Sequence, residues 1–201
     1  MILAFDGSSI DGSAFTDVVD LAHRSPDWLD DAVSAWSTYG TAVFAVLMAV
    51  AWWQARRVSP TAALVALAVP VVVVAAYGLD AAVKLLVRED RPCRTLHVTT
   101  LEACPAPGDW SFPSNHAAVA AAAAVALWYV SRRLGAVAAV AACTMAASRV
   151  WVGAHYPHDV AAGVVVGTLV AVGAMAAIRR RPDPLIRLLS SARLRPRVLA
   201  S

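Results

Sequence analysis

Residues 155–178 have the sequence HYPHDVAAGVVVGTLVAVGAMAAI. A histidine and an aspartate four positions apart, His155 and Asp159, stand directly before an apolar run. The run, residues 160–178, is close to the length of about 20 residues that crosses a bilayer. Ionisable residues beside hydrocarbon are costly, so a group of them at the mouth of a span favours a functional site. The stretch predicts a membrane helix with chemistry at its first turn.

Composition extends this interpretation to the whole chain. Of 201 residues, 59% are hydrophobic and only 15% are charged, whereas soluble domains carry about a quarter charged residues. The sequence predicts an all-α integral membrane helical bundle of about five transmembrane helices, or six if the N-terminal segment also spans. The predicted spans are residues 37–53, 60–79, 116–130, 134–147 and 160–178. Gly163 and Gly167 in the last span predict close helix packing inside one chain rather than dimerisation.

Two flanking regions complete the predicted organisation. Residues 1–36 carry apolar stripes with aspartates opposite, which suits amphipathic helices lying in the membrane interface. A helix pair packed on the outer end of the protein is an equal alternative. Residues 37–178 form the predicted transmembrane core, and residues 179–201 a basic cytoplasmic tail whose leucines among arginines predict a surface helix on anionic lipid.

Basic residues are distributed unevenly along the chain. The arginine clusters are Arg56-Arg57, Arg132-Arg133 and Arg179-Arg180-Arg181. All follow predicted spans on one side, and the candidate catalytic residues lie on the other. The positive-inside rule places the arginines in the cytoplasm and the site outside the cell membrane. The pattern indicates topology, not nucleic-acid binding.

Two further polar groups lie at the ends of predicted spans. Lys84 and Arg91 are seven residues apart, which on one helix is about two turns, so both side chains could reach one anion. The alternative is a pair of snorkelling anchors. Ser114 is placed as an N-cap before an alanine run, and the helix N-terminus beside His116 would attract an anion. The alternative there is an ordinary cap with an interfacial histidine.

The third group contains Arg149, His155 and Asp159. A carboxylate four residues after a histidine can fix the imidazole tautomer and leave the other nitrogen free to attack. The alternative is a capping aspartate beside a satisfied histidine. His158 is interpreted as a loop residue.

Together the three groups resemble the signature of the type 2 phosphatidic acid phosphatase family, shared with vanadium haloperoxidases and glucose-6-phosphatase. The matching residues are Lys84 with Arg91-Pro92, then Pro113-Ser114-Asn115-His116, then Ser148-Arg149 with His155 and Asp159. One position departs, because Asn115 stands where the family usually has glycine.

The resemblance implies a role for each residue. His155 would be the nucleophile that forms a phosphohistidine, Asp159 would orient it, and His116 would protonate the leaving oxygen and later activate water. The expected phosphate-binding residues are Lys84, Arg91, Ser114, Asn115 and Arg149. No metal or other cofactor is implied.

The sequence thus predicts a membrane lipid phosphatase. The first choice of substrate is a polyprenyl diphosphate, with phosphatidate and phosphatidylglycerol phosphate open. The expected partners are this lipid and the bilayer, with no nucleic acid and no obligate protein partner. A non-catalytic lipid-phosphate binding or transport protein is the alternative, and the spans disfavour a haloperoxidase.

Cys93 and Cys104 bracket part of the outer segment, where oxidising conditions favour a disulfide.

Overall fold

The computed structural model describes residues 6–180, and in this range the chain forms helices and no strand. The helices are α1 Ser8–His23, α2 Asp27–Tyr39, α3 Thr41–Ala55, α4 Pro60–Val87, α5 Pro92–Thr95, α6 Asn115–Val130, α7 Arg132–Trp151 and α8 Pro157–Arg180. The predicted all-α bundle is confirmed. The predicted tail helix lies outside the described residues.

Helix α6 is the centre of the bundle. It packs against α3, α4, α7 and α8. Its alanines Ala120, Ala122, Ala123 and Ala126 are fully buried. Because alanine adds only one methyl group to the backbone, four neighbours can approach this helix closely without leaving cavities.

Helices α6 and α8 pack closely enough for their backbones to touch. A Cβ atom at Gly163 would overlap the carbonyl oxygen of Ser114, and one at Gly167 would overlap that of Ala118. The two glycines therefore let the start of α8 lie directly against the start of α6. The small-residue pattern packs within one chain, as the sequence predicted.

The number of spans differs from the prediction. Three helices, α4, α7 and α8, are long and apolar enough to cross a membrane, and α2 with α3 makes a fourth if this pair, bent by 53°, is counted as one. Helix α6 has only 16 residues. The predicted start of the first span at residue 37 was wrong, because α2 continues to Tyr39 and the chain bends at Gly40, where a side chain would meet Trp36.

Helix α4 is longer than the predicted span, which ended at residue 79. Asp80 and Lys84 are buried in the bundle, so the helix continues through these polar residues to Val87. Arg88 then adopts left-handed backbone angles, φ 55 and ψ 49, and ends it. The prediction that Lys84 and Arg91 share one helix was therefore wrong: Arg91 lies in the turn before α5.

Helix α1 packs on the end of the bundle where α8 begins. Phe15 and Val19 are buried in a cluster with Tyr156, and the Phe15 and Tyr156 rings lie 5.4 Å apart. At the same end, a disulfide joins Cys93 in α5 to Cys104. These contacts hold the N-terminal helix and the α5–α6 loop over the ends of the long helices.

Replacing Gly167 with alanine tests the close packing of α6 and α8. We expect Gly167→Ala to lower the unfolding free energy by about 1–3 kcal/mol, because the added methyl group overlaps backbone that cannot rotate away. The measurement is the thermal midpoint of the purified protein in detergent. Gly173→Ala is the matched control, since a Cβ there meets no atom within 4 Å. An equal effect of both variants would contradict the packing.

Candidate active site

Side chains from the ends of four long helices meet around one cavity. Lys84 comes from the last turn of α4, His116 from the first turn of α6, Arg149 from the last turn of α7, and His155 from just before α8. The cavity of about 300 Å³ is lined by Tyr77, Lys84, Arg91, Pro105, Asp109, Asn115, His116, Arg149 and His155. Six of the predicted site residues therefore line one space.

The other two predicted residues lie directly behind this lining. Ser114 and Asp159 are fully buried, and the Ser114 amide donates to the Asp159 carbonyl oxygen at 3.0 Å. This bond joins the N-terminus of α6 to the first turn of α8. The structure thus brings all eight predicted catalytic and phosphate-binding residues to one place.

The orientation of the His155 ring follows from its contact with Arg91. Nη1 of Arg91 lies 3.2 Å from Nε2 of His155 and also donates to the Ala154 carbonyl oxygen at 2.8 Å. Because a guanidinium group has donors and no acceptor, the histidine nitrogen must accept. Nε2 therefore carries a lone pair, and the ring proton is on Nδ1.

The Nδ1 side of His155 faces a carboxylate and a hydroxyl group. Asp159 Oδ2 lies 3.5 Å from Nδ1, and Ser111 Oγ lies 3.4 Å from it. Asp159 Oδ2 accepts from the Ser111 hydroxyl and from the Tyr156 amide, the latter at 2.8 Å. The predicted direct hydrogen bond between His155 and Asp159 is long, and Ser111 connects the two groups. Sequence reasoning missed Ser111, which has no place in the three motifs.

Carboxylates of the loop between α5 and α6 hold both arginines. Asp109 pairs with Arg91 at 2.9 Å, and Glu102 makes two bonds of 3.0 and 3.1 Å with Arg149. Arg149 also donates to the buried hydroxyl of Ser37. The planar fork of arginine binds carboxylate and phosphate in the same way, so these two pairs occupy donors that a phosphate group would use.

Comparison with known proteins agrees with this geometry. The model of the PAP2 superfamily matches residues 62–183, more than half of the chain. The chain belongs to the PAP2 superfamily. The resemblance seen in the motifs is confirmed, and the matched segment contains every predicted catalytic and phosphate-binding residue.

Curated relatives of this PAP2 superfamily member include enzymes of lipid-linked phosphates. It is 35% identical over 88 residues to undecaprenyl-diphosphatase BcrC of Bacillus subtilis, covering 44% of this chain and 45% of that protein. It is 36% identical over 96 residues to decaprenylphosphoryl-5-phosphoribose phosphatase of Mycobacterium tuberculosis, covering 47% and 51%. The match to undecaprenyl-diphosphatase of Sulfolobus acidocaldarius is 39% over 71 residues, covering 33% of each. The chain spans about half or less of these relatives. No solved structure matches it.

The environment of His155 in this PAP2 superfamily member favours a neutral ring. Only 2% of the residue is exposed. Burial holds the pKa of His155 well below its usual range, and the charges of Arg91, Lys84 and Arg149 lower it further. An imidazole that stays neutral at neutral pH keeps its Nε2 lone pair, which a nucleophile requires.

Polar atoms around the start of α6 lack partners. Within residues 6–180, Ser114 Oγ, Asn115 Oδ1 and Arg149 Nε are buried and make no hydrogen bond. Ser114 is the N-cap of α6 by position, but its side chain forms no capping bond. An unpaired buried hydroxyl at a helix N-terminus is a group that a bound anion could satisfy.

One group of metal-ligand types occurs in the described part of the chain, formed by Glu89, His158 and Asp159. His158 Nδ1 lies 2.7 Å from an Asp11 oxygen and Nε2 lies 2.9 Å from a Glu89 oxygen. A metal needs a nitrogen lone pair, whereas two carboxylate neighbours require N–H donors. This donor set as arranged does not fit a metal ion, and the sequence-based expectation of a metal-free site stays a prediction.

The ion pair between Glu102 and Arg149 can be tested by phosphate binding. We expect Glu102→Gln to raise the affinity for inorganic phosphate by about three- to tenfold, because the carboxylate that competes for Arg149 is removed while its partial exposure limits the gain. The measurement is calorimetric titration of the purified protein. Asp90→Asn, which removes the same charge from a residue with no ion pair in the described structure, is the control. Unchanged or weaker binding by Glu102→Gln would show that phosphate does not displace Glu102.

Proposed function

We propose that this protein is a membrane lipid phosphatase that hydrolyses a polyprenyl diphosphate through a phosphohistidine on His155. The observation that carries the proposal is the contact between Arg91 Nη1 and His155 Nε2, which requires a lone pair on Nε2, beside a cavity lined by Lys84, Arg91 and Arg149. A neutral nucleophile surrounded by cations suits an anionic phosphate substrate. The names of the relatives supply the lipid class.

The first step transfers the phosphoryl group to the enzyme. A phosphate oxygen accepts the hydrogen bond that Arg91 Nη1 now donates to Nε2. The lone pair of His155 is then free to attack phosphorus. The N–P bond forms and the P–O bond to the lipid monophosphate breaks, with its electron pair passing to the leaving oxygen. His116, which lines the same cavity, donates a proton to that oxygen. Lys84 and Arg149 stabilise the equatorial oxygens.

The second step regenerates the enzyme. His116 removes a proton from water, the water oxygen attacks phosphorus, and the N–P bond breaks with its electron pair returning to Nε2. The phosphorylated ring of His155 is positively charged between the two steps. The Asp159 carboxylate, with Ser111 between the two groups, offsets that charge and holds Nδ1–H in place.

Helix α4 supports a lipid as the substrate. Tyr77 lines the cavity and is 47% exposed on the outer face of α4. Val74, which lies about one turn before Tyr77 on the same helix, is 68% exposed. A polyprenyl chain lying along this apolar surface would deliver its phosphates to the cavity while its tail stayed in hydrocarbon.

We further propose that the site faces the outside of the cell membrane. Gln54, Ser131 and Arg179 line one cavity at the far end of the bundle. The described arginines next to them in the chain, Arg56, Arg57, Arg132, Arg133 and Arg180, therefore share that end. The positive-inside rule assigns that end to the cytoplasm. The disulfide at the opposite end suits an oxidising compartment.

Replacing His155 tests the activity and its mechanism. We expect His155→Ala to lose at least about 1,000-fold in kcat on undecaprenyl diphosphate, because the step through the enzyme cannot occur. Phosphate release from a panel that adds phosphatidate and phosphatidylglycerol phosphate measures it, and the wild type should form an acid-labile, alkali-stable phosphoenzyme.

His23→Ala is the matched control, since His23 is exposed on α1 far from these contacts. It should retain wild-type rates. Activity that survives in His155→Ala would reject the nucleophile, and binding of the lipids by wild type without phosphate release would favour the non-catalytic alternative.

A further inference from the structure

His158 is bound by carboxylates on both sides of its ring. Nδ1 and the backbone amide each lie 2.7 Å from Asp11 oxygens, and Nε2 lies 2.9 and 3.2 Å from the two Glu89 oxygens. Glu89 is 1% exposed. Placing one ring between a buried carboxylate and a half-buried one is favourable only when the ring contributes a positive charge or a shared proton. The group of Asp11, His158 and Glu89 is called the carboxylate clamp below.

The ring of His158 is also fixed from its faces. It stacks on Tyr156, with centroids 5.4 Å apart and planes at 17°, and on Phe112 at 6.0 Å. Tyr156 follows His155 directly in the chain. The position of the His158 ring is therefore coupled mechanically to the residue after the nucleophile and to Phe112, which follows Ser111 in the chain.

The backbone of α1 places Asp11 against His158. Asp11 has non-helical backbone angles, φ −145 and ψ 27, so that α1 is kinked where its carboxylate meets α8. A Cβ atom at Gly7 would overlap the Glu89 carboxylate and lie 2.8 Å from His158 Cε1. Only glycine lets the start of α1 approach the clamp this closely.

The clamp touches the catalytic carboxylate. Asp159 Oδ1 is buried and has no hydrogen-bond partner among the described residues. On that side it faces Nε2 of His158 at 3.5 Å, and a Glu89 carboxylate oxygen lies within 4.8 Å of the Asp159 carboxylate. Asp159 thus has one oxygen held by Ser111 and Tyr156 and the other facing the clamp.

We propose that His158 is a positioning residue for the catalytic carboxylate Asp159, and that α1 completes the active site by holding His158 through Asp11. The proposal rests on the function proposed above. The positive charge that the two carboxylates hold on the His158 ring faces Asp159 Oδ1, keeps Asp159 ionised in a fully buried position and thereby keeps the His155 ring in its nucleophilic tautomer. Other groups that face His158 are the Glu89 carboxylate, from the turn after α4, and the Tyr156 ring.

His158→Phe separates this role from packing. Phenylalanine keeps the stacking on Tyr156 and Phe112 but removes both N–H donors. We expect kcat to fall about 10- to 100-fold with KM within about twofold, since a charged contact to Asp159 is lost while the phosphate ligands stay in place. The acidic limb of the kcat profile should move about one unit to higher pH, because a proton adds more easily to Asp159 without its cationic neighbour.

The experiment uses the full-length protein in detergent and undecaprenyl diphosphate. Asp11→Asn should show the same direction of change in kcat and in the pH profile, because it weakens the clamp from α1 without touching His158. Thr95→Val is the matched control: it removes the hydrogen bond from Tyr156 in the same layer but no charge, and its pH profile should match wild type. Affinity for inorganic phosphate, measured on every variant, should stay within about twofold, which shows an intact cavity.

The outcomes separate the two proposals. A wild-type protein that hydrolyses no lipid phosphate rejects the proposed function and the positioning role together. An active wild type with His158→Phe and Asp11→Asn unchanged in kcat and pH profile overturns the positioning role alone. A fall in phosphate affinity equal to the fall in kcat would show that the clamp supports only the fold, which also overturns it.

Discussion

The contact between the Arg91 guanidinium and His155 Nε2 determines what the site can do. A guanidinium group can only donate, so the imidazole must present a lone pair. Arg91 is itself fixed by the Ala154 carbonyl oxygen and by Asp109, so its direction is not free to change. Burial and three nearby cations hold the pKa of His155 low and remove the protonated alternative. The proposed nucleophile is therefore oriented and held neutral by its surroundings before any substrate binds.

The helix bundle brings this contact together with the other proposed phosphate ligands. Helices α4 and α7 end, and α6 and α8 begin, at one level, and the glycines of α8 allow α6 and α8 to touch through backbone atoms. Cations gathered in this way repel one another when the site is empty. Asp109 and Glu102 balance Arg91 and Arg149 from the outer loop. In the proposed mechanism a phosphate group replaces both carboxylates, so affinity for phosphate would depend on this loop as well as on the helices.

Much of the fold and most of the site could be predicted because their signals are local. Apolar periodicity gives the helices, and fixed spacing gives the pair His155 and Asp159. Helix ends were misplaced where polar residues are buried, as at Asp80 in α4, because solvent exposure cannot be read from residue type. Ser111 and the partners of His158 were missed, since those contacts join residues 44 to 147 positions apart. Only the folded chain shows such neighbours.

The most direct test is to determine which nitrogen of the His155 ring carries the proton. Nitrogen-15 NMR of the histidine-labelled protein in lipid at neutral pH measures this. The chain has five histidines, and the spectrum of a His155 variant assigns the signal. The account predicts a protonated Nδ1 and an unprotonated Nε2. A doubly protonated ring, or a proton on Nε2, would contradict it.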